Sequence, residues 1–299
     1  PSPFDFQLTV AKPAGWHWSS PTEIFVNSNL WSGLYLERRP VGLKMTAYSN
    51  GASIAAYAQS ALTPSETDLL RDSISEGLGA EIDLSAFYKF AQHDPILSIT
   101  VKDLYGMRPS RLDDIFGRLI LAILLQMAPL TRSRQMMDAV LTNYGLKINF
   151  DGKEIGLWPL PDVIVKAGEA ELRARAKLGY RAQRLIKASE FLVSHPLSLR
   201  SFRGLSEEES IRSLMEIPGI GRYSASLILG QSSAPLDVWS VVIMSELLLE
   251  RTPTNPRQEI NKVAAELKKR WGKWGWLAFV YIMNDLDNLA KKFKLSRLQ

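Results

Sequence analysis

Residues 214–225 read Leu-Met-Glu-Ile-Pro-Gly-Ile-Gly-Arg-Tyr-Ser-Ala, a pattern that ends one helix, turns tightly over IPGIG and starts a second. Gly219 and Gly221 permit positive φ and carry no side chain that would hold a phosphate oxygen away from the backbone N–H groups. The turn is therefore a nest of donors at a helix N-terminus, a place that favours an anion through aimed N–H groups and partial positive charge together. Arg222 adds a full positive charge. Proline and glycine alone would serve merely to connect two packed helices. Here the pattern L-x-x-I-P-G-I-G-x-x-x-A is complete, with Leu214 and Ala225 placed to let the helices approach closely, and it points to a grip on a nucleic-acid backbone.

Sixteen residues after Gly221, Asp237 stands in Ala-Pro-Leu-Asp-Val-Trp-Ser, where proline closes a loop and an apolar helix follows the acid at once. One reading is a helix N-cap, a role aspartate fills well, and helix N-terminal amides favour negative charge. The other reading is chemical. A carboxylate facing a DNA cleft can stabilise a developing oxocarbenium sugar and orient or deprotonate a water, which is what cleavage of an N-glycosidic bond demands. The two roles are compatible.

Elements of two kinds must position these groups. In the first hundred residues FDFQLTV, TEIFVNSNLWSGLYLE and VGLKMTAYS mix β-branched and aromatic residues with partial alternation, punctuated by Pro13, Gly15, Pro40, Asn50 and Gly51. They predict a small antiparallel sheet. Residues 54–61 and 64–77 read as helices, the second opened by Thr63-Pro64 and followed by Glu66. From about residue 110 apolar residues recur at helical spacing. The predicted helices are 111–127, 131–144, 161–167, 169–177, 180–194, 206–216, 222–230, 238–250, 256–271 and 274–292, with GKEIGLWPLP as a surface connection. The fold class is α+β: a strand-rich N-terminal domain over 1–109, then a helical region over 110–299 that contains the helix-hairpin-helix at about 206–230.

Composition narrows the chemistry. The chain of 299 residues is 46% hydrophobic and 22% charged, with no cysteine and three histidines, His17, His93 and His195. That excludes a disulfide framework, an iron–sulfur cluster, a thiolate zinc site and a cysteine nucleophile. No apolar run, 119–125 included, approaches the roughly 20 residues of a membrane span. The start PSPFDFQLTV lacks a basic-then-apolar signal pattern, so the expectation is a soluble protein of the cytoplasm or nucleoid with no membrane partner. The net charge is +5, and residues 251–299 carry eleven Lys or Arg against four acids. Such a segment suits a phosphate polymer, although a charge run is more often a solvated helix face.

IPGIGRYSA followed by a loop ending in PLD before a helix resembles the helix-hairpin-helix Gly/Pro-Asp superfamily of base-excision DNA glycosylases. LILAILLQMAPLTRSRQMMDAVLTNYG looks like that family's early helix pair, LGYRAQRLIKASEFL like a later one and GWLAFVYIMNDL like its closing helix. The strand-rich N-terminal third is similar to the branch of 8-oxoguanine DNA glycosylase and 3-methyladenine DNA glycosylase II. Resemblance covers nearly the whole chain.

Carried over by position, the resemblance implies Asp237 as the essential acid and Gly219, Gly221 and Arg222 as the phosphate grip. Bifunctional members place a Schiff-base lysine two residues after the second hairpin glycine; here that residue is Tyr223. Tyrosine forms no imine, so a monofunctional enzyme without lyase activity is implied, and a ring there can stack on a cationic methylated purine. Gln126 and Met127 occupy the wedge position, Met127 being flexible and long enough to enter a base stack. Tyr180, Arg181 and Arg132 resemble residues facing the estranged base, and Tyr281, Ile282 and Asp285 are pocket candidates on the closing helix. No cofactor is implied, though family hairpins often hold a structural cation on their carbonyls. The implied partner is double-stranded DNA with a damaged base, bound by a monomer.

Two departures from the family pattern stand out. The stretch from Gly221 to Asp237 is a few residues short, and Ala278 and Ile282 replace the base-reading residues of oxoguanine enzymes. The leading reading is removal of alkylated, 3-methyladenine-type purines. An oxidised-purine (8-oxoguanine) glycosylase is the alternative enzyme, and a non-catalytic helix-hairpin-helix DNA-binding protein the alternative of another class.

Overall fold

The computed structural model describes residues 3–11, 22–48, 51–112, 114–230 and 234–298. His17, the Pro13 and Gly15 breaks, Asn50 and part of the short 222–236 stretch lie outside the described residues.

The chain begins with α1 (Phe6–Ala11), where the sequence pattern predicted a strand. Asp5 decides this locally, since its Oδ1 accepts from Leu8 N at 2.8 Å and Phe6, Thr9 and Val10 bury one helical face. Four antiparallel strands follow in a meander: β1 (Ile24–Val26), β2 (Asn29–Leu36), β3 (Arg39–Tyr48) and β4 (Gly51–Tyr57), in that spatial order. β4 corrects the helix expected at 54–61. Its small residues pair with β3 from Tyr48↔Gly51 to Gly42↔Tyr57, and that ladder outweighs the helix preference of its alanines. α2 (Pro64–Gly77) starts as predicted, Thr63 and Glu66 closing a reciprocal capping box.

α3 (Ser85–Ala91) and α4 (Leu97–Asp103) fill a stretch to which the sequence reading gave no element. α5 (Ile115–Leu124) is shorter than predicted because Asp114 caps it through Gly117 N at 2.6 Å. After α6 (Leu130–Tyr144) comes a hairpin, β5 (Leu146–Phe150) and β6 (Lys153–Leu157), where a surface connection was expected. Asp151 and Gly152, with φ of 48° and 69°, make its turn, and Ile155 and Leu157 pack on Trp31 of β2. α7 (Pro161–Arg175) is broken at Gly168, where φ is 76° and ψ 164°, so the two helices predicted on either side of that glycine are both present.

The remaining helices are α8 (Arg181–Ser194), α9 (Glu207–Met215), α10 (Arg222–Leu229), α11 (Val238–Leu249), α12 (Pro256–Trp271), α13 (Gly275–Asn284) and α14 (Leu286–Leu289). The last predicted helix, 274–292, is interrupted at Asp285, whose φ of −121° and ψ of 22° leave helical space. A small antiparallel sheet followed by helices is the α+β class that the sequence implied.

Two large apolar cores take most of the helices, α1 and α2 packing instead with the four-stranded sheet. One gathers α5, α6, α7, α8, α9 and α10, with Leu214 and Ala225 fully buried in it. The other gathers α3, α4, α11, α12, α13 and α14. Ile228 of α10 is buried in the first core and Leu236 in the second. Asp237 therefore stands at the entrance to the second core, beside the seam between them. Among the described residues no helix is long and apolar enough to cross a membrane.

Candidate nucleic-acid interface and active site

The turn between α9 and α10 has the form its residues require. Gly219 adopts φ of +86°, which strains any residue carrying a Cβ. Ile220 N bonds to Ile217 O at 3.1 Å and closes the turn, while the amides of Gly219 and Gly221 make no hydrogen bond to any described residue. Gly221 N-caps α10 without a side chain to fill that role, so the first-turn amides are left for an outside acceptor. Gly219, Gly221 and Arg222 are all exposed. Arg222, expected in the phosphate grip, is exposed and paired: its guanidinium lies on the Glu208 carboxylate at 2.6 and 3.0 Å and holds that carboxyl below its usual pKa range.

Asp237 is the N-cap of α11. Its Oδ1 accepts from Ser240 N and from Ser240 Oγ, each at 2.7 Å, while Ser240 Oγ accepts from Asp237 N at 2.9 Å. Oδ2 has no hydrogen-bond partner among the described residues. One oxygen thus fixes the carboxylate and the other is available to a water or a sugar. The side chain is half-buried. It also acts across the seam on Tyr223, in the first turn of α10: the phenol is raised above its ordinary pKa by loss of surrounding water and then by the Asp237 charge. Tyr223 is 45% exposed. An acid whose Oδ2 is unpaired among the described residues and an accessible aromatic ring thus stand beside the glycine turn.

Gln126 and Met127 form the third part. Met127 is 82% exposed at φ of +51°, a strained and solvent-facing pose for a large apolar side chain. Gln126 anchors it. Its Nε2 donates to Gly219 O at 3.1 Å and to Ser224 Oγ at 3.3 Å, and its Oε1 accepts from Arg184. Its backbone oxygen accepts from Tyr180 OH at 3.1 Å and from Arg181 Nε at 3.1 Å.

That network corrects Arg181, which is 8% exposed and holds the Gln126 carbonyl from within rather than facing a partner. Tyr180 keeps an exposed edge but is pinned at its hydroxyl, with the Arg181 guanidinium 4.5 Å from its ring centroid. Arg132 is half-buried and donates to Lys177 O at 2.6 Å. Arg184, one turn beyond Arg181, was missed; its signal was the shared helix face three residues on.

The closing helix departs from expectation most. Tyr281 and Ile282 are sealed in the second core. Tyr281 OH donates to Met107 O at 2.8 Å and lies 2.9 Å from Tyr88 OH, and its ring packs on Phe87. Asp285 is 4% exposed. Burial first, and a carboxyl contact with Asp103, raise its pKa to about 7, against the opposing effects of the Asn288 amide and Lys291. These three are packing residues, not the walls of an open pocket.

No family model matches the chain. A DNA-3-methyladenine glycosylase of Bacillus subtilis (strain 168) is 23% identical over 220 residues, 71% of this chain and 71% of its own. A probable N-glycosylase/DNA lyase of Methanothermobacter thermautotrophicus is 24% identical over 266 residues, covering 81% and 83%. The solved 3-methyladenine DNA-glycosylase from Archaeoglobus fulgidus superposes with a TM-score of 0.76 at 19% identity, over 96% of both chains. The fold is shared, and the resemblance read from the hairpin and aspartate is borne out.

Proposed function

We propose that this chain is a DNA N-glycosylase of the helix-hairpin-helix Gly/Pro-Asp superfamily, and that it removes alkylated, 3-methyladenine-type purines from duplex DNA by hydrolysis alone. The observation that carries this is the free Oδ2 of Asp237, held by its cap at Ser240 beside Tyr223 and the phosphate-binding turn. The turn would seat the sugar–phosphate chain on the amides of Gly219, Gly221 and the first turn of α10. Met127 would enter the gap left by the extruded base, and Tyr223 would stack on the flipped, positively charged ring. Asp237 would stabilise the oxocarbenium sugar and take the proton of the attacking water, giving free base and an abasic site.

Tyr223 stands where an imine-forming lysine would be needed, which supports hydrolysis without strand nicking. The named relatives include both a 3-methyladenine glycosylase and a glycosylase/lyase, so a panel of duplexes, each with one defined lesion, is the decisive assay. Free methylated purine should be liberated, and borohydride should trap no covalent adduct. Preferential release of 8-oxoguanine, or a trapped adduct, would favour the oxidised-purine alternative. Duplex binding with no base released from any lesion would favour the non-catalytic one.

A further inference from the structure

Since Glu208 occupies Arg222 in a two-point ion pair, the turn's own arginine is poorly placed to answer a phosphate. A second guanidinium stands at the same turn without an acid on it. Arg184 is exposed on α8 and makes no ion pair among the described residues. Its stem crosses Gly219 so closely that a Cβ there would sit 3.4 Å from Arg184 Cβ and Cγ. Its NH1 donates to Gln126 Oε1, and its guanidinium carbon lies 4.9 Å from the Tyr180 ring centroid. Gln126 reaches back to Gly219 O, so glutamine, arginine and glycine turn form one cluster.

We propose that Arg184 supplies the cation for the DNA phosphate seated at this turn. Both of its partners are neutral, and a guanidinium has five N–H donors, of which Gln126 takes one. The rest keep their full charge and fork geometry for phosphate oxygens. The aromatic face of Tyr180 and the amide of Gln126 fix the fork before DNA arrives, so little side-chain freedom is lost on binding. Because Gln126 also carries the Met127 loop, the residue that meets the phosphate is tied directly to the residue placed to enter the stack.

This inference rests on the DNA-binding part of the proposed function and not on base release, which keeps the two separately testable. Binding of a fluorescent duplex containing a tetrahydrofuran abasic analogue is measured against KCl concentration for the wild type, Arg184→Gln, Arg184→Lys and Arg222→Gln, with a thermal melt of each. Loss of one phosphate contact lowers the magnitude of the slope of log K against log salt by about 0.9. Arg184→Gln should lose that amount, Arg184→Lys should retain the wild-type slope, and Arg222→Gln should change it less than Arg184→Gln does. A residue that merely braces the fold would weaken binding equally at every salt concentration. An unchanged slope in Arg184→Gln overturns the assignment, as does a loss of about 0.9 in Arg222→Gln alone. A wild type that binds duplex but releases no base would leave it standing and sink the glycosylase reading instead.

Discussion

The sequence marks both the hairpin seam and the closing helix as places to handle a flipped base, and the structure separates them by how their polar groups are satisfied. At the seam, capable groups are held by one side and left open on the other. Among the described residues the amides of Gly219 and Gly221 have no partner, Asp237 is fixed through Oδ1 with Oδ2 unpaired, and Met127 projects from an anchored Gln126. On the closing helix every such group is consumed internally: Tyr281 by Met107 and Tyr88, Asp285 by Asn288 and Asp103. Residue type alone does not distinguish the two regions; unfilled hydrogen-bonding capacity at the surface does.

Substitutions can break or sharpen this contrast. Asp237 apart, the largest effect on rate is expected at Met127. Met127→Gly relieves the positive φ and should raise stability by about 1 kcal/mol, yet slow release of a methylated purine by about tenfold, since nothing then props the gap in the duplex. Single-turnover base release beside a denaturant melt would show both signs, and unimpaired release would remove Met127 from the interface. Tyr281→Phe should do the reverse. It should cost about 1–2 kcal/mol in unfolding free energy through two lost buried hydrogen bonds, with the base-release rate of the folded enzyme unchanged. A tenfold fall in rate would return Tyr281 to the pocket.

Asp285 gives the smallest and most specific effect. A carboxyl whose folded pKa is raised to about 7 binds more protons folded than unfolded at intermediate pH. Its contribution to stability is therefore present in acid and lost as pH rises from about 4 towards 7. Thermal melts at about pH 5 and about pH 8 should show a larger loss of Tm in the wild type than in Asp285→Asn, by a few degrees. Equal losses would show that the buried carboxyl does not carry this linkage.

What was legible in the sequence was what local chemistry decides. The IPGIG turn, the Asp237 cap, the Thr63–Glu66 capping box and the break at Gly168 each follow from a few adjacent residues. What was hidden depends on neighbours distant in the chain. β4 is a strand because β3 pairs with it, and Ile155 and Leu157 hold β6 in place by packing on Trp31. Arg181 resembles a surface contact until the Gln126 carbonyl, 55 residues away, is seen to accept from it. Arg184 stayed unnoticed because its meaning lies in a glycine turn 35 positions further along. The Asp-Gly turn at 151–152 was a local signal that could have revealed the second hairpin.

The central claim is that the open oxygen of Asp237 drives hydrolysis of the N-glycosidic bond, and Asp237→Asn tests it with little structural disturbance because asparagine caps a helix as well as aspartate does. Single-turnover release of 3-methyladenine from a defined duplex, with Tm and duplex affinity measured on the same preparation, is the measurement. The account predicts a fall in rate of about 10²–10⁴-fold with melting temperature and affinity close to wild type. Base release at the wild-type rate from a folded, DNA-binding Asp237→Asn protein would contradict it.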